Sequence, residues 1–456
     1  MSGASQIEHV VVLMLENRSF DHMLGYLKLE NQEIDGLTGG ESNPSIGSQE
    51  IKVFHAPQDS PILYAKTPDP NHEFPAVNLQ LFEAETPPPH YQPTNRGFIW
   101  SYALQPLGKD QPGMGYLQAH NIMCCFHPAQ VPILSTLAKN FTLCDHWFAS
   151  VPGSTWPNRF FVHAATSGGD LLTPSGLTSM AEVEAKFKTY QLPTIFDNLE
   201  KNGIKWRIYH HGFPQVMALA NLRRLVKYGE NVKEFKDTFE SDVTEGNLPT
   251  YTFIEPSHFP ILTMPNDQHP PYDVRAGERL IAQVYNALRK SKLWQTSLLV
   301  ILYDEHGGFF DHVPPPRAVR PDGKASTDPF FKFDRLGVRV PAILISPYLS
   351  AGVDHTDYDH TSLLATVKKL FNLPDFLTER DKAASTFEHN FGKSREDALP
   401  PFKMDELPSF PTDFSYDLSP YVSLLMKLAI YVAEKEDHQI NAEFLEGAKK
   451  LLGLGW

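Results

Sequence analysis

Ser297-Leu298-Leu299-Val300-Ile301-Leu302-Tyr303 runs straight into Asp304-Glu305-His306-Gly307-Gly308. The run carries no charge and no alternation of polar with apolar residues. It therefore predicts a strand buried on both faces, as in a parallel sheet covered by helices. Other runs repeat the pattern outward from it. Residues 10–15 (VVVLML) lead into Glu16-Asn17, and residues 203–209 (GIKWRIY) into His210-His211. Tyr251–Ile254 leads into Glu255-Pro256, and residues 340–346 (VPAILIS) form a further buried strand. Helical spacing lies between them. In 274–293 the apolar residues Leu280, Ile281, Val284, Tyr285 and Leu288 share one face, and 363–373 is similar. Strands alternating with helices predict an α/β fold with an open parallel sheet covered on both sides. Ligands of such sheets bind beyond the carboxyl ends of the strands, where these polar clusters stand.

The chain has 456 residues, 41% of them hydrophobic and 12% aromatic, a normal globular balance with no internal repeat. Its net charge of -14, without a basic run, excludes nucleic acid as a natural partner. It also argues against electrostatic docking on anionic membranes, while a zwitterionic lipid stays open as substrate. The three cysteines, Cys124, Cys125 and Cys144, do not suit a disulfide scaffold. Cys124-Cys125-Phe126-His127 lacks the spacing of a zinc knuckle and reads as core. No apolar stretch reaches membrane-spanning length. The first residues carry no basic export signal, so the expected location is the cytoplasm, with signal-independent secretion left open.

Two Pro-, Gly- and polar-rich excursions, 38–70 and 83–115, are expected to shape a pocket rim. Residues 1–397 read as one catalytic domain. Residues 398–420 read as a Pro-rich linker, with Ser419 capping a helix that starts at Pro420 and spans 421–434. A shorter helix follows near 441–452. Val422, Leu425, Met426, Ala429, Ile430 and Ala433 fall on one face, to pack on the core or a sister subunit, or to meet a membrane.

Asp304-Glu305 sets the chemistry. Two adjacent acids after an apolar strand cannot be buried unpaired, and a divalent cation resolves the cost. The plain alternative is a pair of turn caps. Glu16-Asn17 offers two more hard oxygens, beside a helix cap at Ser19. Thr155, in Gly153-Ser154-Thr155-Trp156-Pro157-Asn158-Arg159, is placed at the start of a helix. The helix dipole there favours phosphate or an alkoxide, and an ordinary N-cap is the alternative. His72, His210, His211 and His269 stand in loops or at strand ends, as donors to phosphate or as an acid for the leaving group. His306, His312, His355 and His360 are expected to brace turns or hold ligands from behind.

Glu16-Asn17-Arg18-Ser19-Phe20-Asp21-His22 resembles the opening motif of the bacterial phosphatidylcholine-type phospholipase C and acid phosphatase family, shared by plant non-specific phospholipases C. Residues 303–313 (YDEHGGFFDHV) are similar to its second signature. His269-Pro270-Pro271-Tyr272-Asp273-Val274, Pro157-Asn158-Arg159 and residues 334–341 (DRLGVRVP) match further blocks. The resemblance runs from about residue 7 to residue 373. It implies an alkaline-phosphatase-like three-layer α/β/α sandwich with a mostly parallel sheet. It also implies one divalent metal (Ca, Mg, Mn or Zn) held by Glu16, Asn17, Thr155, Asp304 and Glu305. Thr155 would be nucleophile as well as ligand, with His72, His210, His211 and His269 around the phosphate. The chain departs from the family in lacking an export signal and the long C-terminal extension of some haemolytic relatives.

The expected reaction is hydrolysis of a phosphatidylcholine-type lipid to diacylglycerol and phosphorylated headgroup, through phospho-Thr155, with His269 or His210 protonating the leaving alcohol. A broad acid phosphatase with the same machinery is the rival. A non-catalytic phospholipid- or phosphate-binding protein is the alternative from another class. Phe74, Phe82, Tyr91, Phe98, Trp100 and Trp147 are candidates for an apolar entrance. Transient membrane contact and a homo-oligomer through the C-terminal helices are the partner expectations.

Overall fold

A computed structural model of the chain describes residues 3–454, apart from 46, 48, 56–68, 89–90, 106–115, 178, 237, 263, 396–398 and 410–419. Its main strands are β1 (His9–Leu15), β2 (Thr142–Cys144), β3 (Trp206–His210), β4 (Val232–Glu234), β5 (Tyr251–Ile254), β6 (Ser297–Tyr303), β7 (Ala342–Ile345) and β8 (Gly352–Asp354). They form one eight-stranded sheet in the order β8-β2-β7-β6-β1-β5-β3-β4. Every residue of β5, β6 and β7 is buried, as the uninterrupted apolar runs demand of a sheet covered on both faces. Only β7 runs antiparallel to its neighbours. Apolar composition does not encode that direction. Residues 304–341, which lead from β6 to β7, contain no helix, and antiparallel strands need no helical crossover.

The helices that frame the sheet and the site are α1 (Phe20–Leu24), α2 (Pro132–Asn140), α3 (Thr155–Ala164), α4 (Met180–Thr189), α5 (Val274–Lys290), α6 (His360–Leu370), α7 (Pro420–Lys435) and α8 (Ala442–Leu451). α5 packs on α2, α3 on α6, and α7 on α4 and α8, completing a three-layer α/β/α sandwich. Glu278 of α5 is buried, and its carboxylate accepts from Ile133 N at 2.6 Å and Leu134 N at 3.1 Å in the first turn of α2. An acid thus satisfies two free N–H groups at a positive helix end.

Tyr421, Val422, Leu425, Met426 and Ala429 of α7 are buried in the same apolar cluster as the sheet strands. Ile430 is buried too. These residues of the helix pack on the chain's own core, while Ala433 is only partly buried. The expected cap, Ser419, lies outside the described residues. Of the aromatic residues considered for an entrance, Phe74, Phe82, Phe98 and Trp147 are buried core, and only Tyr91 and Trp100 are exposed. The three cysteines are buried and form no disulfide among the described residues. Within the first excursion, Ser42–Pro44 pairs with Glu50–Lys52, and Phe54–His55 pairs with Cys124–Cys125. Among the described residues, no helix is long and apolar enough to cross a membrane.

Candidate active site

The register of the sheet brings the acids together. β1 and β6 pair in parallel as far as Leu15 opposite Tyr303, so Glu16 and Asp304 leave adjacent strand ends side by side. Asn17 takes a left-handed backbone conformation, φ 56°, and its N–H donates to Asp304 Oδ1 at 3.1 Å. Gly307 packs directly on this turn. A Cβ at Gly307 would lie 2.2 Å from Asn17 O, so glycine is required for the two ends to touch. Ser19 caps α1 by accepting from His22 N at 3.1 Å, and donates to Phe310 O at 2.6 Å. Glu16, Asn17, Asp304 and Glu305 are all fully buried.

Thr155 opens α3, and the residues after it explain how it is presented. Pro157 sits in the first turn, where its missing N–H costs nothing. Asn158 ties the preceding loop. Its Oδ1 accepts from Val151 N at 3.0 Å, and its Nδ2 donates to Val151 O, Gly153 O and Ser154 O at 3.2, 3.0 and 3.2 Å. Arg159, one turn after Thr155 and so on the same helix face, places Nη2 2.9 Å from Glu16 Oε1 and Nε 3.2 Å from Asp304 Oδ2. The two neighbouring hydroxyls differ. Ser154 Oγ donates to Glu73 Oε2 at 3.1 Å and accepts from Thr173 N at 2.7 Å. The Thr155 hydroxyl makes no hydrogen bond among the described residues.

His72 and His269 join this set. His72 Nε2 lies 3.4 Å from Asn17 Nδ2 and 3.8 Å from Glu305 Oε1, while its Nδ1 is held 2.9 Å from Pro70 O. The His72 and His269 rings meet edge to face at 6.1 Å, and His269 Nε2 is 3.6 Å from Asp69 Oδ2. His210 and His211 are held elsewhere. His210 Nδ1 is 3.9 Å from Glu234 Oε2 and has no hydrogen-bond partner. His211 Nδ1 is 3.0 Å from Glu255 O, with its ring stacked on Phe235 at 4.8 Å. Among the described residues neither shares a hydrogen bond with the acids at 16, 304 and 305. From behind, His360 Nε2 donates to Asp304 O at 2.6 Å, and His306 Nε2 lies 2.8 Å from Gln80 Oε1. His312 and His355 pair with Asp21 and Asp145, 2.6 and 2.9 Å away.

Sequence reasoning gave no role to Arg159, His258, Asp267 or Tyr421. His258 Nδ1 is 2.9 Å from Asp267 Oδ2 and 3.5 Å from Glu16 Oε1, and Tyr421 O–H donates to Glu16 Oε1 at 2.9 Å. The signal for His258 was present, because Glu255-Pro256-Ser257-His258 follows β5 directly. No local pattern marks Tyr421, which arrives 405 residues after its partner.

Burial and neighbouring charges shift the protonation of these groups. Burial and the nearby Glu16 charge push the Asp304 carboxyl well above the usual range, with Arg159 pulling the other way. Burial opposes protonation of His72, but Glu305, Asp69 and Glu73 outweigh it and lift its pKa to about 9. Burial likewise opposes protonation of His258, and Glu16, Asp267 and Glu255 lift it to about 10. Glu16 Oε2, Asn17 Oδ1 and Glu305 Oε1 are buried without a hydrogen-bond partner. Buried oxygens left unpaired are rare, and these are the hard donors a divalent cation takes. Two carboxylate–histidine groups border them, Asp69–His72–His269 and Glu16–His258–Asp267, each with ligand atoms within 4.8 Å of one another. The acidic and histidine groups here can hold a metal.

Buried oxygen donors at the ends of a largely parallel sheet, with α3 docked on them through Arg159, fit the class of an α/β enzyme that hydrolyses phosphoric esters. The chain belongs to the Phosphoesterase family, whose sequence profile matches residues 7–374. It is 42% identical over 400 residues to non-specific phospholipase C6 of Arabidopsis thaliana, covering 84% of this chain and 72% of that protein. It is 39% identical over 431 residues to non-specific phospholipase C3 of the same plant, covering 89% and 77%. Among solved structures, an alkaline phosphatase superfamily protein from Vibrio parahaemolyticus aligns with a TM-score of 0.33 at 12% identity, over 67% of this chain and 81% of that one.

Proposed function

We propose that the protein is a metal-dependent phospholipase C that cleaves phosphatidylcholine-type lipids through a phosphorylated Thr155. One observation carries the reading. The hydroxyl without a partner sits on the same helix face as Arg159, which is docked on Glu16 and Asp304, while the neighbouring Ser154 hydroxyl is fully engaged. Glu16, Asn17, Thr155, Asp304 and Glu305 are the proposed holders of one divalent ion. That ion, when bound, supplies positive charge to the phosphate oxygens and lowers the pKa of the hydroxyl.

Thr155 Oγ, having lost its proton to solvent, attacks phosphorus in line, and the bond from phosphorus to the diacylglycerol oxygen breaks. His269, backed by Asp69, gives the departing oxygen its proton, while His72 donates to a non-bridging oxygen. Water then attacks phosphorus. His269 takes the proton of the water and is restored, the Thr155–phosphorus bond breaks, the threonine oxygen regains a proton from solvent, and the phosphorylated headgroup is released. His210 stands 3.9 Å from Glu234 of β4 and His211 lies on Glu255, just past β5, and no proton transfer is assigned to either. The lipid substrate is supported by the relatives' names.

The test is chelator-stripped protein assayed on phosphatidylcholine and on p-nitrophenyl phosphate, with Mg, Ca, Mn or Zn restored singly. Release of diacylglycerol that depends on one of these ions supports the reading. Cleavage of the monoester alone assigns a phosphomonoesterase, and no cleavage of either under any ion overturns it.

A further inference from the structure

The family's matched span ends at residue 374, yet the site does not. Tyr421, the second residue of α7, inserts its ring between two site histidines. It lies parallel to the His269 ring at 6.5 Å and edge-on to His258 at 5.7 Å. Its hydroxyl donates to Glu16 Oε1 at 2.9 Å. The same oxygen lies 2.9 Å from Arg159 Nη2 in an ion pair without hydrogen-bond geometry, so the Tyr421 hydroxyl supplies the hydrogen bond that fixes this side of the Glu16 carboxylate. The other oxygen, Oε2, is buried without a partner.

We propose that Tyr421 is a positioning residue for ion binding at Glu16, supplied by a helix outside the family's matched span. The proposal rests on Glu16 being an ion ligand, as proposed above. A carboxylate with one oxygen held by a hydrogen bond and an ion pair has the direction of its other oxygen set before any ion arrives. Without the phenol, Glu16 turns toward the guanidinium of Arg159, which offers a planar fork to both oxygens. The free oxygen is then drawn away from the cation. The C-terminal segment thereby becomes part of the site.

The test is calorimetric titration of Mn²⁺ into chelator-stripped, full-length protein for the wild type, Tyr421→Phe, Glu16→Gln and the double variant. Tyr421→Phe keeps the ring and its stacking and removes only the donor. It is expected to weaken Mn²⁺ binding about tenfold. Turnover of p-nitrophenyl phosphate should recover at saturating Mn²⁺, which a general loss of packing would not allow. In the Glu16→Gln background the Tyr421→Phe change should add nothing further, because the two residues act through one carboxylate. Tyr421→Phe with affinity within twofold of the wild type overturns the proposal and leaves Glu16 as a ligand. A loss of activity that excess Mn²⁺ does not restore overturns it too. If Glu16→Gln itself binds Mn²⁺ like the wild type, the ligand set fails, and this proposal falls with it.

Discussion

Arg159 Nη2 lies 2.9 Å from Glu16 Oε1, with both side chains fully removed from solvent. The same guanidinium bonds Asp304, so one arginine serves both acids that leave the adjacent ends of β1 and β6. Arg159 is thus a shared charge partner of Glu16 and Asp304. Arg159→Met should therefore destabilise the metal-stripped protein strongly, by about 3–5 kcal/mol, as expected when one member of a buried pair is removed. Urea unfolding of both proteins measures the difference. Saturating divalent metal should return part of the loss. A cost under about 1 kcal/mol would show that the acids are not held by this arginine.

Asp304→Asn and Glu16→Gln should each weaken metal binding by more than the roughly tenfold typical of partners behind the ligands. Folding should survive. β1 and β6 are held by apolar residues, each contributing about 1.5–3 kcal/mol by burial, and the site carboxylates are not among them. Metal content after gel filtration, with far-ultraviolet circular dichroism, tests both halves. Unchanged metal content in both variants would remove these residues from the site.

A separate network should govern alkaline stability. Asp35 Oδ2 is 3.1 Å from His146 Nε2, and Asp35 Oδ1 is 3.2 Å from His312 Nε2. Hydrogen bonds to Asp35 and Asp357 raise the His146 pKa to about 9. Burial opposes protonation of His312, but Asp21 and Asp35 outweigh it and raise its pKa to about 10. Both values lie above that of a free histidine. Their stabilisation is thus complete below about pH 6.5 and fades as pH rises through 9 and 10. Asp35 is partly exposed, so screening limits its share to about 1 kcal/mol at pH 7. Asp35→Asn should lower the melting temperature at pH 7 and shrink the fall between pH 7 and pH 10. Parallel melting curves for variant and wild type would discard the network.

The central sheet was legible because β1, β5 and β6 are uninterrupted apolar runs. β2, β4 and β8 were not, being three residues each, too short for a pattern, and Val232-Lys233-Glu234 is mostly polar. Glu16, Asn17, Asp304 and Glu305 were visible because an acid after a buried strand has few other uses. Arg159 was quoted in a motif without a role. A helix-interior arginine reads as surface, and only the docking of α3 on the strand ends takes it out of water. Tyr421 could not be found at all, since its position depends on how the last helices return to the sheet.

The contrast between Ser154 and Thr155 gives the sharpest test. Ser154 Oγ is committed to Glu73 and Thr173, whereas the Thr155 hydroxyl, at the positive end of α3, makes no hydrogen bond among the described residues. A phosphate on Thr155 would face that helix end and any bound cation, which stabilises a dianion. Thr155→Ala should therefore abolish turnover, lowering kcat by at least about a thousandfold, since a lone nucleophile has no substitute. Phosphate affinity should be largely kept. Thr155→Ser should retain partial activity, because the hydroxyl remains and only the methyl packing is lost. Ser154→Ala breaks bonds that shape the loop, costing about 1 kcal/mol in stability while leaving turnover measurable. Acid quenching during turnover, followed by peptide mass spectrometry, should find phosphate on Thr155. Phosphate on Ser154, or full activity in Thr155→Ala, would overturn the nucleophile and leave the ion ligands standing.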